Sequence, residues 1–206
     1  MANANVPSGL SPVAYLSGSA WNGQARTYYI PSTDGNAYAI GDPVATVTGA
    51  ADAMGISAVT LATAGTANAL RGVIVGTMGS IYGGPGIDPA SPQTTVIPAS
   101  KLHGYYVKVV DDPNVIFEIQ ATAAVLTAVT SVATVGKNAV LKSGVNNGYI
   151  SGWTMDDGTT TAPATTIGFQ LKILGLVQRP DNVPGAYAKY HVLINNHEFK
   201  ATVIGV

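Results

Sequence analysis

The stretch YYVKVVDDPNVIFEI, residues 105–119, decides the fold class of this chain. Two runs of β-branched and aromatic residues, 105–110 and 115–119, flank the turn-forming residues 111–114. The second run alternates apolar and polar side chains around Phe117, Glu118 and Ile119, which is typical of a half-buried strand. The Asp-Asp-Pro-Asn link between them is typical of a tight connection. The stretch therefore predicts two antiparallel strands, at residues 105–110 and 115–120, joined as a hairpin.

The same signals recur along the whole chain. Asn22–Gly23, Asp34–Gly35, Asn147–Gly148 and Asp157–Gly158 are dipeptides that suit tight turns. Between such turns we predict further strands at residues 26–30, 44–48, 56–62, 72–77, 139–142, 149–154, 169–178 and 188–195. Short strands at regular spacing predict an all-β fold, a compact β-barrel or β-sandwich with little helix.

One window is ambiguous. Residues 121–135 (ATAAVLTAVTSVATV) are rich in Ala, which favours a helix, but Val and Thr lose side-chain freedom there. The sequence leaves a short helix and a strand open for this window.

Two segments lack any periodicity. Residues 1–24 are expected to form an extended N-terminal arm, and residues 25–206 a β domain. A Gly- and Pro-rich loop at residues 79–100 either interrupts this domain or divides it into two β subdomains. Loops of that length are usually functional or disordered.

The arm and the long loop are the predicted contact surfaces. The arm carries Tyr15, Leu16 and Trp21, and burying one aromatic side chain stabilises by about 1.5–3 kcal/mol. We therefore expect the arm to lie on its own barrel, a sister subunit or another protein. The long loop adds Tyr82 and Ile87 as candidate contacts.

Composition excludes several classes of partner. Charged residues make up 10% of the 206 residues and the formal net charge is −1, whereas an ordinary soluble domain is about 25% charged. Little counterion release is available, so no nucleic acid partner is expected. The apolar stretches are interrupted by Thr and Ser, and the first residues lack the regions of a signal peptide, so we expect no membrane partner and synthesis in the cytoplasm.

The few candidates for a metal site do not make a convincing set. Cysteine is absent, which excludes thiolate ligands, disulfides and a cysteine nucleophile. His191 and His197 have the even spacing of one strand face, with Glu198 adjoining, but a third histidine ligand would have to be the distant His103. We expect no metal and no cofactor.

The paired carboxylates do not predict catalysis either. Asp111–Asp112 and Asp156–Asp157 are adjacent in sequence, and neighbouring strand residues point to opposite faces. A general acid and base must instead converge across a cleft. Because the pairs lie beside Pro113 and Gly158, we interpret them as turn residues and expect the protein not to be an enzyme.

Several stretches together resemble the capsid decoration (cement, head-stabilising) proteins of tailed bacteriophages. They are residues 9–13, 22–24, 28–31, 41–44 (Gly-Asp-Pro-Val), 72–76 (Gly-Val-Ile-Val-Gly), 109–120, 175–182, 187–189 and 192–197. The resemblance implies a structural virion protein on the capsid exterior, which binds the major capsid protein and cements neighbouring subunits. It also implies association with copies of itself, with a trimer favoured over a dimer.

An alternative function remains open. The ten tyrosines, with Trp21 and Trp153, also suit a receptor- or glycan-binding β module of a phage or cell surface. Core packing explains at least one tyrosine of each pair at 28–29 and 105–106, since one of two neighbours on a strand faces inward.

Overall fold

The computed structural model describes residues 3–78, 96–122 and 128–200, and its all-β character confirms the predicted fold class. The strands are β1 (Ser11–Tyr15), β2 (Arg26–Ile30), β3 (Tyr38–Ala39), β4 (Pro43–Ala51), β5 (Ser57–Leu61), β6 (Gly72–Met78), β7 (Val96–Ile97), β8 (Tyr105–Val110), β9 (Val115–Gln120), β10 (Asn138–Ala139), β11 (Leu141–Lys142), β12 (Thr154–Met155), β13 (Leu171–Leu176) and β14 (Lys189–Ile194). A short helix, α1 (Ala128–Ala133), lies in the window that the sequence left open.

Five strands close into a barrel in the order β2-β5-β4-β6-β8. The closing pair is β2 with β8, antiparallel over its whole length, whereas β2 meets β5 in parallel at Tyr29 and Ala58. Aliphatic and tyrosine side chains that point inward fill the interior, among them Tyr28, Ile30, Val44, Val59, Ile74, Val107 and Val109. The barrel strands β6 and β8 lie before and after the predicted loop at residues 79–100. Residues 79–95 of that loop lie outside the described residues, and its end holds β7, which pairs with β3 in a separate two-stranded sheet.

A five-stranded antiparallel sheet in the order β1-β9-β14-β13-β10 forms the second layer. Its alternating residues are buried against a core of their own, which includes Phe117, Ile119, Leu171, Ile173, Tyr190 and Val192. Leu61 at the end of β5 packs against both cores, so the barrel and the sheet are joined through apolar contact.

The predicted hairpin between residues 105–110 and 115–120 is wrong. β8 pairs with β2 and β6 in the barrel, while β9 pairs with β1 and β14 in the sheet. The link does form a turn, since the Asp112 carboxylate accepts the Asn114 N–H at 2.8 Å. It carries the chain from one layer to the other, because both edges of each strand are already taken by other partners.

The predicted arm contributes to the fold. Within residues 1–24, β1 forms the outer strand of the five-stranded sheet, and Leu10 is buried in the core of that sheet. Gly9 packs so closely against Gly41 that a Cβ would lie 2.3 Å from the Gly41 carbonyl oxygen. The described part of the arm therefore lies on its own chain.

Most predicted strands appear with shifted ends, but one is largely replaced. Residues 149–154 were expected to be a strand, and only Thr154–Met155 is one. The residues before this strand form a loop. In that loop Gly144 and Gly152 bring two backbone segments into close contact.

Candidate interaction surface

The predicted contact residues of the arm differ in exposure. The Tyr15 ring packs against the core of the sheet, and its hydroxyl donates to Asn22 Oδ1 at 2.7 Å. Trp21 also packs on that core, and its indole N–H donates to the Gln24 carbonyl at 3.3 Å. Leu16, by contrast, is 55% exposed. Of these three, Leu16 is the most exposed side chain; Tyr82 and Ile87 lie outside the described residues.

A tight reversal at residues 15–21 holds Leu16 in place. The Tyr15 N–H donates to the Ser19 carbonyl at 2.8 Å, and the Trp21 N–H donates to the Val13 carbonyl at 3.1 Å. The Leu16 N–H donates to the Asn114 carbonyl, which ties the reversal to the turn between β8 and β9. The chain thereby covers part of the outer edge of β1, an edge that would otherwise be free to pair with another strand.

A cavity of about 200 Å³ opens beside Tyr15. Its lining comes from the arm, β2, the turn after β8 and the end of the described chain: Tyr15, Gln24, Arg26, Asp111, Asp112, Pro113 and Phe199. Asp111 accepts a 2.6 Å hydrogen bond from the buried Tyr28 hydroxyl and faces Arg26 Nη1 at 3.4 Å. Burial, together with this carboxylate, raises the pKa of Tyr28. The Asp111 carboxylate thus has its partners, Tyr28 and Arg26, within the chain.

The other carboxylates are engaged in the same way. Within residues 3–78, 96–122 and 128–200, every Asp and Glu side chain accepts a hydrogen bond or forms an ion pair inside the chain. Asp156, for example, accepts the Gly158, Thr160 and Thr161 N–H groups and so caps a turn. The interpretation of this aspartate as a turn residue is confirmed.

The most exposed large apolar side chain of the described residues, Val145, lies on a loop that the sequence did not identify as a contact surface. In the loop at residues 143–150, Val145 is 94% exposed and Tyr149 is 69% exposed. The Asn147 side chain accepts the Tyr149 and Ile150 N–H groups at 3.1 and 2.9 Å. Residues 143–155 contain no charged side chain. The Asn-Asn-Gly turn with an apolar residue on each side is the signal that could have identified this loop.

The base of this apolar loop is tightly built. A Cβ on Gly144 would lie 1.9 Å from the Gly152 carbonyl oxygen. Just beyond, Ser151 is buried and Trp153 belongs to the core of the sheet. Hydrogen bonding within the loop and packing at its base fix its conformation, so little conformational entropy would be lost if it contacted a partner.

Several of the aromatic side chains considered for glycan binding are buried. Trp153 is 3% exposed and cannot present its ring to a sugar. Tyr28 and Tyr106 are both buried, as expected for one tyrosine of each pair. Tyr28 contributes to the barrel interior.

The histidines do not converge. No group of three or more His, Cys, Asp or Glu side chains that could hold a metal occurs among the described residues. His191 on β14 lies opposite Glu118 of β9. His197 is fully buried, while Glu198 instead binds Thr46 and Arg71.

Comparison with protein families, with curated proteins and with solved structures found no match to this chain. Within the part of the chain that the structure describes, no helix has the length and hydropathy needed to cross a bilayer.

Proposed function

We propose that this protein is a structural virion protein that binds the outer surface of a phage capsid and cements neighbouring major capsid subunits. The proposal extends the resemblance of the sequence to capsid decoration proteins. The observation that carries it is the apolar loop at residues 143–150, which holds Val145 and Tyr149 in the solvent within a stretch, residues 143–155, that contains no charged side chain.

Exposed apolar side chains on a fixed loop favour adhesion to a shaped, uncharged surface. Leu16 adds a second apolar contact on a reversal that hydrogen bonds hold in place. Stable interfaces bury at least about 1,000 Å² in total. Two such patches on each copy, repeated over a trimer, would reach that area across several capsid subunits and gain from multivalency.

The salt dependence of binding distinguishes apolar attachment from electrostatic attachment. Charged residues make up only 10% of the chain, so few ion pairs can form with the capsid. Added salt screens exposed charge pairs but does not weaken apolar contact. Attachment should therefore survive high salt.

The experiment is co-sedimentation with expanded capsids assembled from the major capsid protein encoded with this chain. The mass of the protein in solution, with and without capsids, reports the oligomer and the bound copies. We expect saturable binding that changes less than about threefold between 50 mM and 1 M NaCl. Failure to pellet, or release by moderate salt, would contradict the proposal, and binding to a glycan array would favour the receptor-binding alternative.

A further inference from the structure

The segment at residues 195–200, called here the strap, joins the sheet to the barrel. It leaves β14 and runs beside the start of β6, where the Leu70 N–H donates to the Asn196 carbonyl at 2.9 Å and the Glu198 N–H donates to the Leu70 carbonyl at 3.0 Å. The Glu198 carboxylate then accepts the Thr46 N–H of β4 at 2.8 Å. The strap is thus bound to the barrel by backbone and side-chain hydrogen bonds.

The side chain at the centre of the strap is His197, which has no exposed surface. Its Nδ1 accepts the Phe199 N–H at 3.0 Å, so the ring is neutral with its proton on Nε2. Nε2 has no hydrogen-bond partner among the described residues. A second proton would have to sit on Nδ1, where it would remove the acceptor that orders residues 197–199.

The charges around the ring oppose that second proton. Lys200 of the strap and Arg71 beside β6 face it, and Asp112 of the β8–β9 turn is the acid that faces it. Glu198 directs its carboxylate away to Arg71, with Nε to Oε2 at 2.8 Å. Burial above all, and then the two cations, lower the pKa of His197 to about 4.

We propose that the strap is an acid-sensitive latch, in which uptake of one proton by His197 releases residues 195–200 from Leu70 and Thr46. The closed strap holds a neutral ring, whereas the ring of an open strap regains its ordinary pKa of about 6.5. The opening equilibrium therefore rises by up to about tenfold per pH unit below pH 6.5 and approaches a limit of about 300-fold below pH 4. This proposal stands apart from the capsid-binding function.

Amide hydrogen exchange of the full chain, read by mass spectrometry on peptides that cover residues 195–200, tests the latch. After correction for the intrinsic exchange rate at each pH, we expect protection in the wild type to fall about fivefold to sevenfold per unit, about 40-fold in all, from pH 6.5 to 4.5. His197→Asn keeps an acceptor near the position of Nδ1 but does not titrate, so its protection should stay flat over that range. His191→Asn, a half-buried histidine on β14, is the matched control and should behave as the wild type.

Two results would overturn the latch. One is protection in the wild-type strap that does not depend on pH between 6.5 and 4.5, a result that needs no variant. The other is a pH dependence that persists in His197→Asn, because it would assign the proton to another group such as Glu198. If His197→Asn does not fold, the NMR titration of the His197 ring in the wild type replaces it, and a ring that protonates near pH 6.5 with the strap still protected would reject the proposal.

Discussion

The Arg71 guanidinium lies between a carboxylate and an aromatic ring, with its Nε 2.8 Å from Glu198 Oε2 and its Cζ 4.1 Å from the centre of the Phe199 ring. Both side chains of the ion pair are at least nine-tenths buried. Thr46 completes the group, since its hydroxyl donates to the same carboxylate oxygen at 2.6 Å. The ion pair thereby joins Arg71, which precedes β6 of the barrel, to Glu198, which follows β14 of the sheet.

Removing one member of this pair should destabilise the protein strongly. Glu198→Ala leaves the Arg71 charge buried without its partner, which typically costs about 3–5 kcal/mol of unfolding free energy. Urea unfolding at pH 7 measures this loss. Asp181→Ala is the control, because its contact with Arg179 is exposed and such pairs contribute about 0–1 kcal/mol. Equal losses for the two variants would contradict the assigned role of the buried pair.

Asp34 should make stability depend on pH in the acid range. Burial acts to raise the pKa of its carboxyl, but hydrogen bonds from the Asn36 N–H, Tyr38 and Thr60, with Lys101 nearby, outweigh burial and hold the pKa below its ordinary value. A lowered pKa stabilises the fold above the ordinary value of about 4, and that contribution is lost as the pH falls through the lower value.

Asp34→Asn therefore should cost about 1–3 kcal/mol at pH 7, and the gap to the wild type should shrink as the pH falls below about 4. Urea unfolding at pH 7, 4, 3 and 2.5 measures the gap. Tyr38→Phe removes one donor, since the Tyr38 hydroxyl lies 2.8 Å from Asp34 Oδ2, and should move the loss of stability to higher pH. A gap that is the same at every pH would show that Asp34 does not titrate with folding.

The apolar loop should carry much of the capsid affinity. Tyr149→Ser and Val145→Ser each remove exposed apolar surface without touching the core, and interface anchors of this kind contribute about 1–2 kcal/mol, or about tenfold in Kd. Sedimentation with capsids measures the change, and thermal unfolding should be unaltered. Met54→Ser, at a residue that is 68% exposed on the β4–β5 turn, is the matched control. If it weakens binding as much as Tyr149→Ser does, the loop is not the specific contact.

The glycine contact at the base of the loop should be intolerant of a side chain. Gly144→Ala places a methyl group against the Gly152 carbonyl and should cost about 1–3 kcal/mol, because the backbone must move to relieve the overlap. Gly175→Ala is the control, since nothing lies within 4 Å of the corresponding Cβ. Thermal unfolding of both variants measures the difference, and a stable Gly144→Ala with unchanged loop exchange would argue against a fixed loop.

Local patterns predicted the strands better than their partners. The strands at Arg26–Ile30, Tyr105–Val110 and Val115–Gln120 have the predicted ends. Alternation and β-branched residues are local properties, so a window of a few residues suffices. The partner of β8 is not local, and the turn at residues 111–114 is compatible both with a hairpin and with a crossing between layers.

The sequence did not show which of the candidate contact residues are exposed. Leu16 is exposed, whereas Tyr15 and Trp21 pack on the core of their own sheet. Val145 and Tyr149 were not selected, because a turn sequence does not reveal whether its flanking apolar residues face the core or the solvent.

Sequence alone determined the all-β class and the low charge, since the first follows from residue types within short windows and the second from composition. The tertiary structure decided which layer each strand joins, that β1 belongs to the domain, and that His197 and the Arg71–Glu198 pair meet in one buried place. The physical reason is that burial and pairing depend on residues far apart along the chain. Thr46 and Glu198, 152 positions apart, are joined by two hydrogen bonds.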